Sequence, residues 1–381
     1  MKIITKGIID WATNKVEHVE SFDYVGPMAL AATPSDYLDV SDLKAVAAGG
    51  LIREDVLDQI FDISDIPTPF LDMIGTDGFT NSYSEWTEDK LVAPNTGNKI
   101  VSGSDANSAN NNANVTNAKR VGNHAQISTK LVMVTERGQA VTSIGRSDEM
   151  GYQTARRLQE LRRDVEAIAL SIQASVQDDG VAVAGQSAGL SAWLTSNTSV
   201  GAGAGANGGF QTGTKLVTAR TAGTKRALSF AFISTQIENV YNLGGNTSVL
   251  MSVPGVTKRL GQFLLTTPNS AKPTQNIQGS GDGVSQTSQQ YVDAFKTDFG
   301  FMMQIIPNRL QQTYGATQAD VFGLDTRFLK LGLLYGWKVD VLAKLGLSFR
   351  KMLHVDWMLK CTLERAQFVV ADIDPTVAVT A

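Results

Sequence analysis

Ser187 is the residue whose surroundings most resemble those of a catalytic nucleophile. It is the central residue of GQSAG, residues 185–189, which matches the G-x-S-x-G elbow of serine hydrolases. The apolar runs VAVA before it and LSAWL after it are compatible with the strand–turn–helix context of that elbow. A triad also needs an acid and a histidine, and His354 is the only histidine that follows Ser187. Because no HGGG-type oxyanion loop and no repeated βα units are present, the sequence favours a loop, and a serine hydrolase is the alternative.

The glycines and histidines form no other convincing catalytic or ligand-binding pattern. A GxGxxG pattern is formed by Gly203, Gly205 and Gly208. No strand is predicted before it and no helix after it, and no acidic residue follows at the spacing of a dinucleotide-binding site. This stretch therefore predicts a flexible loop. The histidines are scattered, with no CxxC or HExxH spacing: His18, His124 and His354. We predict no catalytic, cofactor-binding or metal site.

Composition and charge argue against several classes of function. With 33 Lys and Arg against 37 Asp and Glu, the net charge of −4 gives no basic footprint for tight nucleic-acid binding. Charged residues make up 18% of the chain, which suits a protein that buries much of its surface in partners. A single cysteine, Cys361, excludes an intrachain disulfide and fits a reducing compartment. Lys6 and Asp10 interrupt the first apolar run, so neither a signal peptide nor a membrane span is predicted.

The longest helical pattern covers residues 147–177. Apolar residues recur there every three or four positions, which defines one buried face of a helix about 45 Å long. The first residue of this stretch, a serine, is the predicted N-cap. On the polar face the spacing predicts two i,i+4 ion pairs, Arg156–Glu160 and Arg162–Glu166. This face is either solvated or presents its arginines to carboxylates of a neighbouring subunit.

Two long strands are predicted over residues 77–94 and 119–136. The second alternates regularly, with one set of side chains from Ile127 to Thr135 and the other from Gln126 to Val134. A polar, asparagine-rich stretch joins the two strands. Because an isolated two-stranded hairpin is marginally stable in water and the chain offers no obvious internal cover, the hairpin is expected to need another surface to lie on.

The rest of the chain mixes helical and strand patterns, which predicts an α+β class. Residues 1–50 have the character of an extended arm, and residues 54–63 could form a short helix. Residues 180–213 are glycine-rich and loop-like. Residues 229–243 predict a second helix that ends at a Gly-Gly pair. Beyond residue 295 the pattern is rich in strands.

Several segments, taken in order, are similar to those of one known family. They are PTPFLDMIG, the Glu85-Trp86 pair, GRSDEMGYQTARRLQELRRDVE, AGLSAWLTSN, TDFGFMMQIIPNR, DVFGLDTRFLKLGLL and WMLKCTLERAQ. Together with the order of arm, hairpin, long helix, mixed domain and closing strands, they resemble the major capsid proteins of tailed bacteriophages with the HK97-type fold. The resemblance covers roughly residues 50–375.

The resemblance implies a division of the chain into four parts. These are an N-terminal arm (1–75), an extended hairpin loop or E-loop (76–136), a peripheral domain (137–245 and 347–381) that contains a spine helix (147–177), and an axial domain (246–346).

The resemblance also implies a structural, non-catalytic function. Subunits would form the hexamers and pentamers of an icosahedral shell that encloses double-stranded DNA without sequence-specific binding. Portal, scaffold and decoration proteins are further candidate partners, and no membrane is involved. The expected location is the capsid shell of the virion, after assembly in the host bacterial cytoplasm. A different self-assembling protein, such as a sheath or surface layer, is a second alternative.

Candidate assembly residues are the charged and aromatic side chains of the hairpin and the spine helix. They are Glu85, Trp86, Lys90, Lys130, Arg156, Arg157, Glu160, Arg162, Arg163 and Glu166.

Overall fold

The computed structural model describes residues 2–10, 15–23, 67–105, 118–141, 146–203, 205–263, 294–296, 299–300, 302–315 and 317–377. The chain divides into two compact units, Met1–Ile60 and Phe61–Ala381. In the first unit, β1 (Lys2–Asp10) and β2 (Lys15–Asp23) form an antiparallel ladder. The rest of the predicted arm up to residue 66, with the helix expected over residues 54–63, lies outside the described residues.

The second unit combines helices and strands, in agreement with the predicted α+β class. Its helices are α1 (Pro69–Met73), α2 (Glu136–Ala140), α3 (Glu149–Ala169), α4 (Leu190–Trp193), α5 (Phe230–Asn242) and α6 (Pro254–Phe263). Its strands are β3 (Gly75–Gly78), β4 (Tyr83–Glu88), β5 (Lys119–His124), β6 (Gln126–Thr135), β7 (Thr198–Ser199), β8 (Gly209–Gln211), β9 (Leu216–Thr218), β10 (Val249–Ser252), β11 (Ala294–Lys296), β12 (Met302–Pro307), β13 (Ala319–Leu324), β14 (Leu329–Val341), β15 (Ser348–Cys361) and β16 (Phe368–Ile373).

A four-stranded sheet supports the long helix α3. Its strand order is β3-β14-β15-β6, with β3 parallel to β14 and the other neighbours antiparallel. Leu161 and Val165 of α3 are fully buried in one apolar core with Trp357 of β15. The apolar spacing therefore correctly predicted a buried helical face, and this face packs on β15.

A six-stranded sheet forms the second core. Its strand order is β11-β12-β10-β13-β16-β7, and a separate apolar cluster joins it to α5 and α6. The second predicted helix is confirmed as α5, which begins after Ser229 and ends before Leu243. The last strand, β16, pairs with β13 of this sheet, although the sequence assigned residues 347–381 to the domain of the long helix.

The predicted hairpin is shorter and more divided than expected. The first strand ends at Glu88, and the second is split at Ala125, whose N–H donates to the carbonyl of Ser82 at 2.8 Å. Residues 119–124 pair with β4, whereas residues 126–135 pair with β15. The expectation that the second strand has no internal cover is therefore wrong for β6, which lies in the sheet under α3.

The long helix is also shorter than the sequence predicted. It begins after Asp148, and Gln139 provides the cap, because its side chain accepts from the Met150 N–H at 3.0 Å; the predicted serine cap is wrong. The helix ends at Ala169, eight residues before the predicted end. There the backbone of Gly189 crosses so closely that a Cβ would lie 2.2 Å from the carbonyl oxygen of Ser171.

The glycine-rich stretch at 180–213 is not a flexible loop throughout. Its middle part contains α4, whose residues are all buried, and Gly208 of the GxGxxG pattern packs closely against it. A Cβ on Gly208 would lie 2.4 Å from the carbonyl oxygen of Ala192, so this position needs glycine. Glycine is frequent in this stretch because backbone segments approach each other there too closely to leave room for a Cβ.

A fully buried charge network joins the glycine-rich stretch to the six-stranded sheet. The guanidinium of Arg220 contacts Asp320 of β13 at 3.0 Å and Asp372 of β16 at 3.4 Å. Its Nε donates to the hydroxyl of Ser191 at 3.0 Å, and its carbon lies 4.8 Å from the ring centre of Tyr314. The segments that contain Ser191, Arg220, Tyr314 and the two aspartates therefore meet around charged and polar side chains and not around an apolar cluster.

Candidate assembly interface

Ser187 is completely buried and serves as a hydrogen-bond acceptor in the core. Its Oγ accepts from the backbone N–H of Leu359 at 3.0 Å and from the side-chain amide of Asn123 at 3.2 Å. His354, the histidine that a triad would require, lies on β15 with Nδ1 3.5 Å from Asp340. These hydrogen bonds hold the loop before α4 against the edge of β15. No described general base contacts the Ser187 hydroxyl.

We expect no labelling of Ser187 by a fluorophosphonate probe. The probe attacks an activated and accessible serine, and Ser187 is neither in the folded chain. Mass spectrometry of the treated, folded protein measures the modification, and the Ser187→Ala variant is the control. Labelling of the wild-type protein that disappears in Ser187→Ala would support the hydrolase alternative instead.

The histidines and acidic side chains of the described ranges form no common cluster. No group of three or more His, Cys, Asp or Glu side chains converges on a possible ion position there. His124 is buried at the end of β5 with its ring centre 4.7 Å from that of Tyr83, and burial lowers its pKa. In the same ranges, no helix has both the length and the apolar character needed to cross a membrane.

Two predicted interface residues, Glu85 and Trp86, anchor the base of the hairpin to its own chain. The carboxylate of Glu85 pairs with Arg120 of β5 and lies 3.3 Å from the ammonium of Lys215. The indole of Trp86 packs on the buried Trp193 of α4, with ring centres 5.5 Å apart. These contacts fix the direction in which the hairpin leaves the body of the subunit.

The two predicted lysines have different surroundings. Lys90 lies beyond β4 in an exposed segment that has no regular secondary structure. Lys130 projects from β6 towards the long helix, where its ammonium lies 2.6 Å from Asp164. It therefore holds β6 against α3 within the subunit.

The polar face of α3 pairs partly within the helix and partly with α1. Arg157 pairs with Glu160 at i,i+3 spacing. Arg156 donates to the hydroxyl of Tyr152 at 3.1 Å. Arg162 reaches Asp72 of α1 instead of its predicted partner on the helix. The predicted Arg162–Glu166 pair is wrong, because Asp72 of α1 lies closer to this guanidinium and Glu166 is turned into the core.

Glu166 is the candidate whose position differs most from the prediction. It is fully buried, and its two oxygens accept from the backbone N–H groups of Phe70 at 3.0 Å and Leu71 at 2.9 Å. The amide of Asn308, after β12, donates to it at 2.6 Å. Burial raises the pKa of this carboxyl. Because it caps α1 inside the subunit, Glu166 is removed from the set of candidate assembly residues.

Arg163 lines an open groove between α3 and the loop after β12. Lys130, Asp164 and Arg309 also line this groove, whose volume is about 430 Å³. The Nε atom of Arg163 is buried, and no hydrogen-bond acceptor among the described residues reaches it. Of the helical candidates, Arg163 is the one whose polar atoms are least satisfied within the subunit.

The sequence did not identify an exposed apolar surface on β6. On β6, the odd-numbered residues face away from α3, and Ile127, Leu131 and Met133 are 62%, 50% and 53% exposed. The even-numbered residues Val132 and Val134 are buried under the helix. Alternation indicated a strand, but both faces contain apolar residues, so the sequence could not show which face was buried.

The connection between β14 and β15 extends this surface. Its exposed apolar side chains are Leu345 and Leu347, and Val341 at the end of β14 is exposed beside them. Lys344 within the connection pairs with Glu136 of α2, which holds it beside the end of β6. The exposed strand face and this connection together form an apolar surface that the described part of the chain leaves uncovered. An apolar surface of this kind is typical of an interaction site.

Comparison with a known sequence and with known structures points to shell proteins. Over 107 residues the chain is 32% identical to a major capsid protein of Escherichia phage Phieco32, and the match spans only 28% of this chain and 29% of the relative. The fold resembles the capsid of a native GTA particle, with a TM-score of 0.53 and 11% identity over 86% of this chain and 98% of that one.

Two further structures have the same fold. An encapsulin, from a structure of the holo-SrpI encapsulin complex of Synechococcus elongatus PCC 7942, gives a TM-score of 0.51 and 11% identity over 89% of this chain and 99% of that one. A chain from Mycobacterium phage Bobi gives a TM-score of 0.51 and 12% identity over 88% and 98%. The predicted HK97-type fold is thereby confirmed. A model of the SU10 major capsid protein family matches residues 33–374, and the chain therefore belongs to that family.

Proposed function

We propose that this chain is the shell-building subunit of a tailed bacteriophage. Copies of it assemble as hexamers and pentamers into an icosahedral capsid that encloses double-stranded DNA. The observation that carries this proposal is the uncovered apolar surface of β6 and the β14–β15 connection, including Leu131 and Met133. Exposed apolar area of this extent is unfavourable in a solitary soluble subunit and is buried when subunits associate.

The extension beyond the hairpin supports the same proposal. Residues 89–101 of this extension form no strand, and Leu91, Ile100 and Val101 are exposed. An apolar segment without cover in its own chain gains stability when a neighbouring subunit covers it. Membership of a major capsid protein family and the similarity to assembled shells agree with this role.

The domain division of an HK97-type subunit is proposed here with changes that follow the two sheets. Residues 126–135 and 329–341 belong with the peripheral part, because β6 and β14 both pair with β15 in the sheet under α3. Residues 368–373 belong with the axial part, because β16 pairs with β13. The arm (1–75), the extended hairpin and the spine helix keep their proposed roles.

The remaining partners are proposals from the same family. The shell contacts DNA without sequence-specific binding, which agrees with a net charge of −4, since tight phosphate binding needs clustered Lys and Arg. Portal, scaffold and decoration proteins are candidate partners, and assembly takes place in the host bacterial cytoplasm before the subunit becomes part of the virion. The role of the chain is structural, and we assign it no catalytic activity.

Dynamic light scattering combined with negative-stain electron microscopy tests the proposal. The purified full-length chain, alone or with a scaffold protein from the same phage, is expected to form closed shells of uniform diameter. Sheets or tubes without closed shells would favour a sheath or surface layer. A monomer that never assembles at high concentration, with or without a scaffold, would contradict a shell-building role.

The arginines of the spine helix provide a more specific prediction. The Arg163→Glu variant is expected to fold but to assemble with a lower yield, because it reverses the charge at a groove where the guanidinium is only partly satisfied. Arg156→Glu is the matched control on the same helix. Shell yield is measured by sedimentation and folding by circular dichroism. If both variants assembled like the wild-type protein, the polar face of α3 would be a solvated surface.

A further inference from the structure

The loop that follows the long helix is held in one shape by its own hydrogen bonds. Val176 and Gln186 exchange backbone hydrogen bonds of 3.1 and 3.0 Å, which close the loop at its base. Within the loop, one carboxylate oxygen of Asp179 accepts from the N–H groups of residues 181, 182 and 183, each at 2.8 Å. Residues 178–183, which we call the acidic loop, therefore have a defined conformation without any partner.

The acidic loop presents two carboxylates and an apolar side chain to solvent. Val181 is 93% exposed, so the subunit itself does not cover it. Asp178 is also exposed, and neither it nor Asp179 belongs to an ion pair among the described residues. The three N–H groups hold the pKa of Asp179 below its usual range, so this carboxyl is ionised at neutral pH. The sequence has no Lys or Arg from residue 164 to residue 214, so no cation within this stretch offsets the charge.

The groove between α3 and the loop after β12 has the complementary composition. Its lining includes three cations, two carboxylates and an apolar side chain: Lys130, Arg163, Arg309, Glu160, Asp164 and Leu310. Both carboxylates already pair with cations, Asp164 with Lys130 and Glu160 with Arg157 from outside the lining. Positive charge is therefore in excess in this groove.

The charge of Arg163 is open to an incoming carboxylate. No ion pair among the described residues includes this arginine, and although its Nε is enclosed, its terminal nitrogens are not. These are the nitrogens through which a guanidinium makes planar, charge-assisted contacts with a carboxylate. Arg309 is exposed in the same lining, and its backbone is held in place because the N–H of Leu310 donates to the side chain of Asn308 at 2.8 Å. The groove therefore offers two positioned guanidinium groups.

We propose that the acidic loop of a second copy docks in this groove, with its Asp178 carboxylate pairing with the guanidinium groups of Arg163 and Arg309. Its Val181 then packs on Leu310, which removes water from the charged groups and strengthens their attraction. Because the loop and the groove are different surfaces, the contact is head-to-tail, and repeated contacts of this kind close into rings such as hexamers and pentamers. The proposal rests on the shell-building function and names the partner that Arg163 meets within the shell.

A charge exchange tests the pairing. Asp178→Arg and Arg163→Glu are each expected to raise the protein concentration needed for assembly by about tenfold, because each brings like charges together. The double variant is expected to recover most of this loss, since the pair is restored with its charges exchanged. The control combines Arg163→Glu with Glu238→Arg, the same change at an exposed carboxylate of α5, and no recovery is expected there. Single variants that assemble like the wild-type protein, equal recovery in both double variants, or recovery in neither would overturn the pairing.

Cysteine cross-linking tests the location of the docked loop. In shells of a Val181→Cys, Gln312→Cys double variant, mild oxidation is expected to join neighbouring subunits, because Gln312 is exposed in the lining of the groove. The control combines Val181→Cys with Leu243→Cys, another exposed position, and little cross-linking is expected there. The natural Cys361 is completely buried and does not interfere. Equal or absent cross-linking in the two shells would overturn the docking. Shells that form without these effects reject only the docking, whereas failure of the wild-type protein to form shells rejects the shell function itself.

Discussion

Replacing Arg220 with methionine is expected to destabilise the folded subunit by about 3–5 kcal/mol. The guanidinium is completely buried between Asp320 and Asp372, which are themselves buried. Without the guanidinium, two carboxylates would lie close together in the dry interior with no positive charge beside them. Leaving buried charges without a partner costs more stability than replacing the whole network with apolar side chains. Urea denaturation of the unassembled full-length chain, followed by tryptophan fluorescence, measures the loss.

The matched control and the pH dependence make this prediction specific. Arg120→Met removes an exposed arginine that also pairs with a carboxylate, and about 0–1 kcal/mol is expected. Burial raises the pKa of Asp320, so its neutral form is favoured in the fold as pH falls. The penalty of Arg220→Met should therefore shrink from pH 7 towards pH 5. A penalty near that of Arg120→Met, or one independent of pH, would contradict the assigned role.

The second large effect is expected at Glu166. Glu166→Ala leaves the N–H groups of Phe70 and Leu71 and the amide of Asn308 without their acceptor, and each unsatisfied donor costs about 1–3 kcal/mol. We expect a total loss of at least about 3 kcal/mol. Glu166→Gln keeps one acceptor oxygen and should lose less. Urea denaturation measures stability, and amide hydrogen exchange at Phe70 and Leu71 should increase in Glu166→Ala.

Glu160 provides the control because it lies on the same helix in a surface ion pair, so that Glu160→Ala should cost about 0–1 kcal/mol. The sign of the pH dependence follows from burial, which raises the pKa of Glu166. Its contribution to stability is greatest below the unfolded pKa and is lost as pH rises through the folded one. Glu166→Gln removes this dependence. Equal losses for Glu166→Ala and Glu160→Ala would show that the buried contacts contribute little.

Local pattern predicted the elements well but not where they end. The apolar spacing of α3 correctly gave a helix and its buried face, including Leu161 and Val165. The helix stops at Ala169 for tertiary reasons, because Gly189 crosses its end and the N–H of Ser175 donates to Val217 at 2.9 Å. The apolar spacing of a helix does not depend on contacts with residues so distant in sequence, so it could not show where the helix ends.

The candidate interface was only partly predictable for a related reason. Residue type placed Glu166 among surface charges, whereas its function in the fold is to accept from the first turn of α1. The proline at the start of α1, Pro69, was a usable signal, since N–H groups just after it need an acceptor. The exposed side of β6 had no such signal, because apolar residues occupy both of its faces.

The split at Ala125 has a mechanical consequence. β5 and β6 are one continuous piece of backbone with a single residue between the two ladders. Tension applied to the hairpin therefore reaches β6 directly, where ten residues pair with β15. A pull along a strand loads all of its ladder bonds together, whereas a pull across it opens them one at a time. A pull along these strands is thus shared by the whole ladder between β6 and β15.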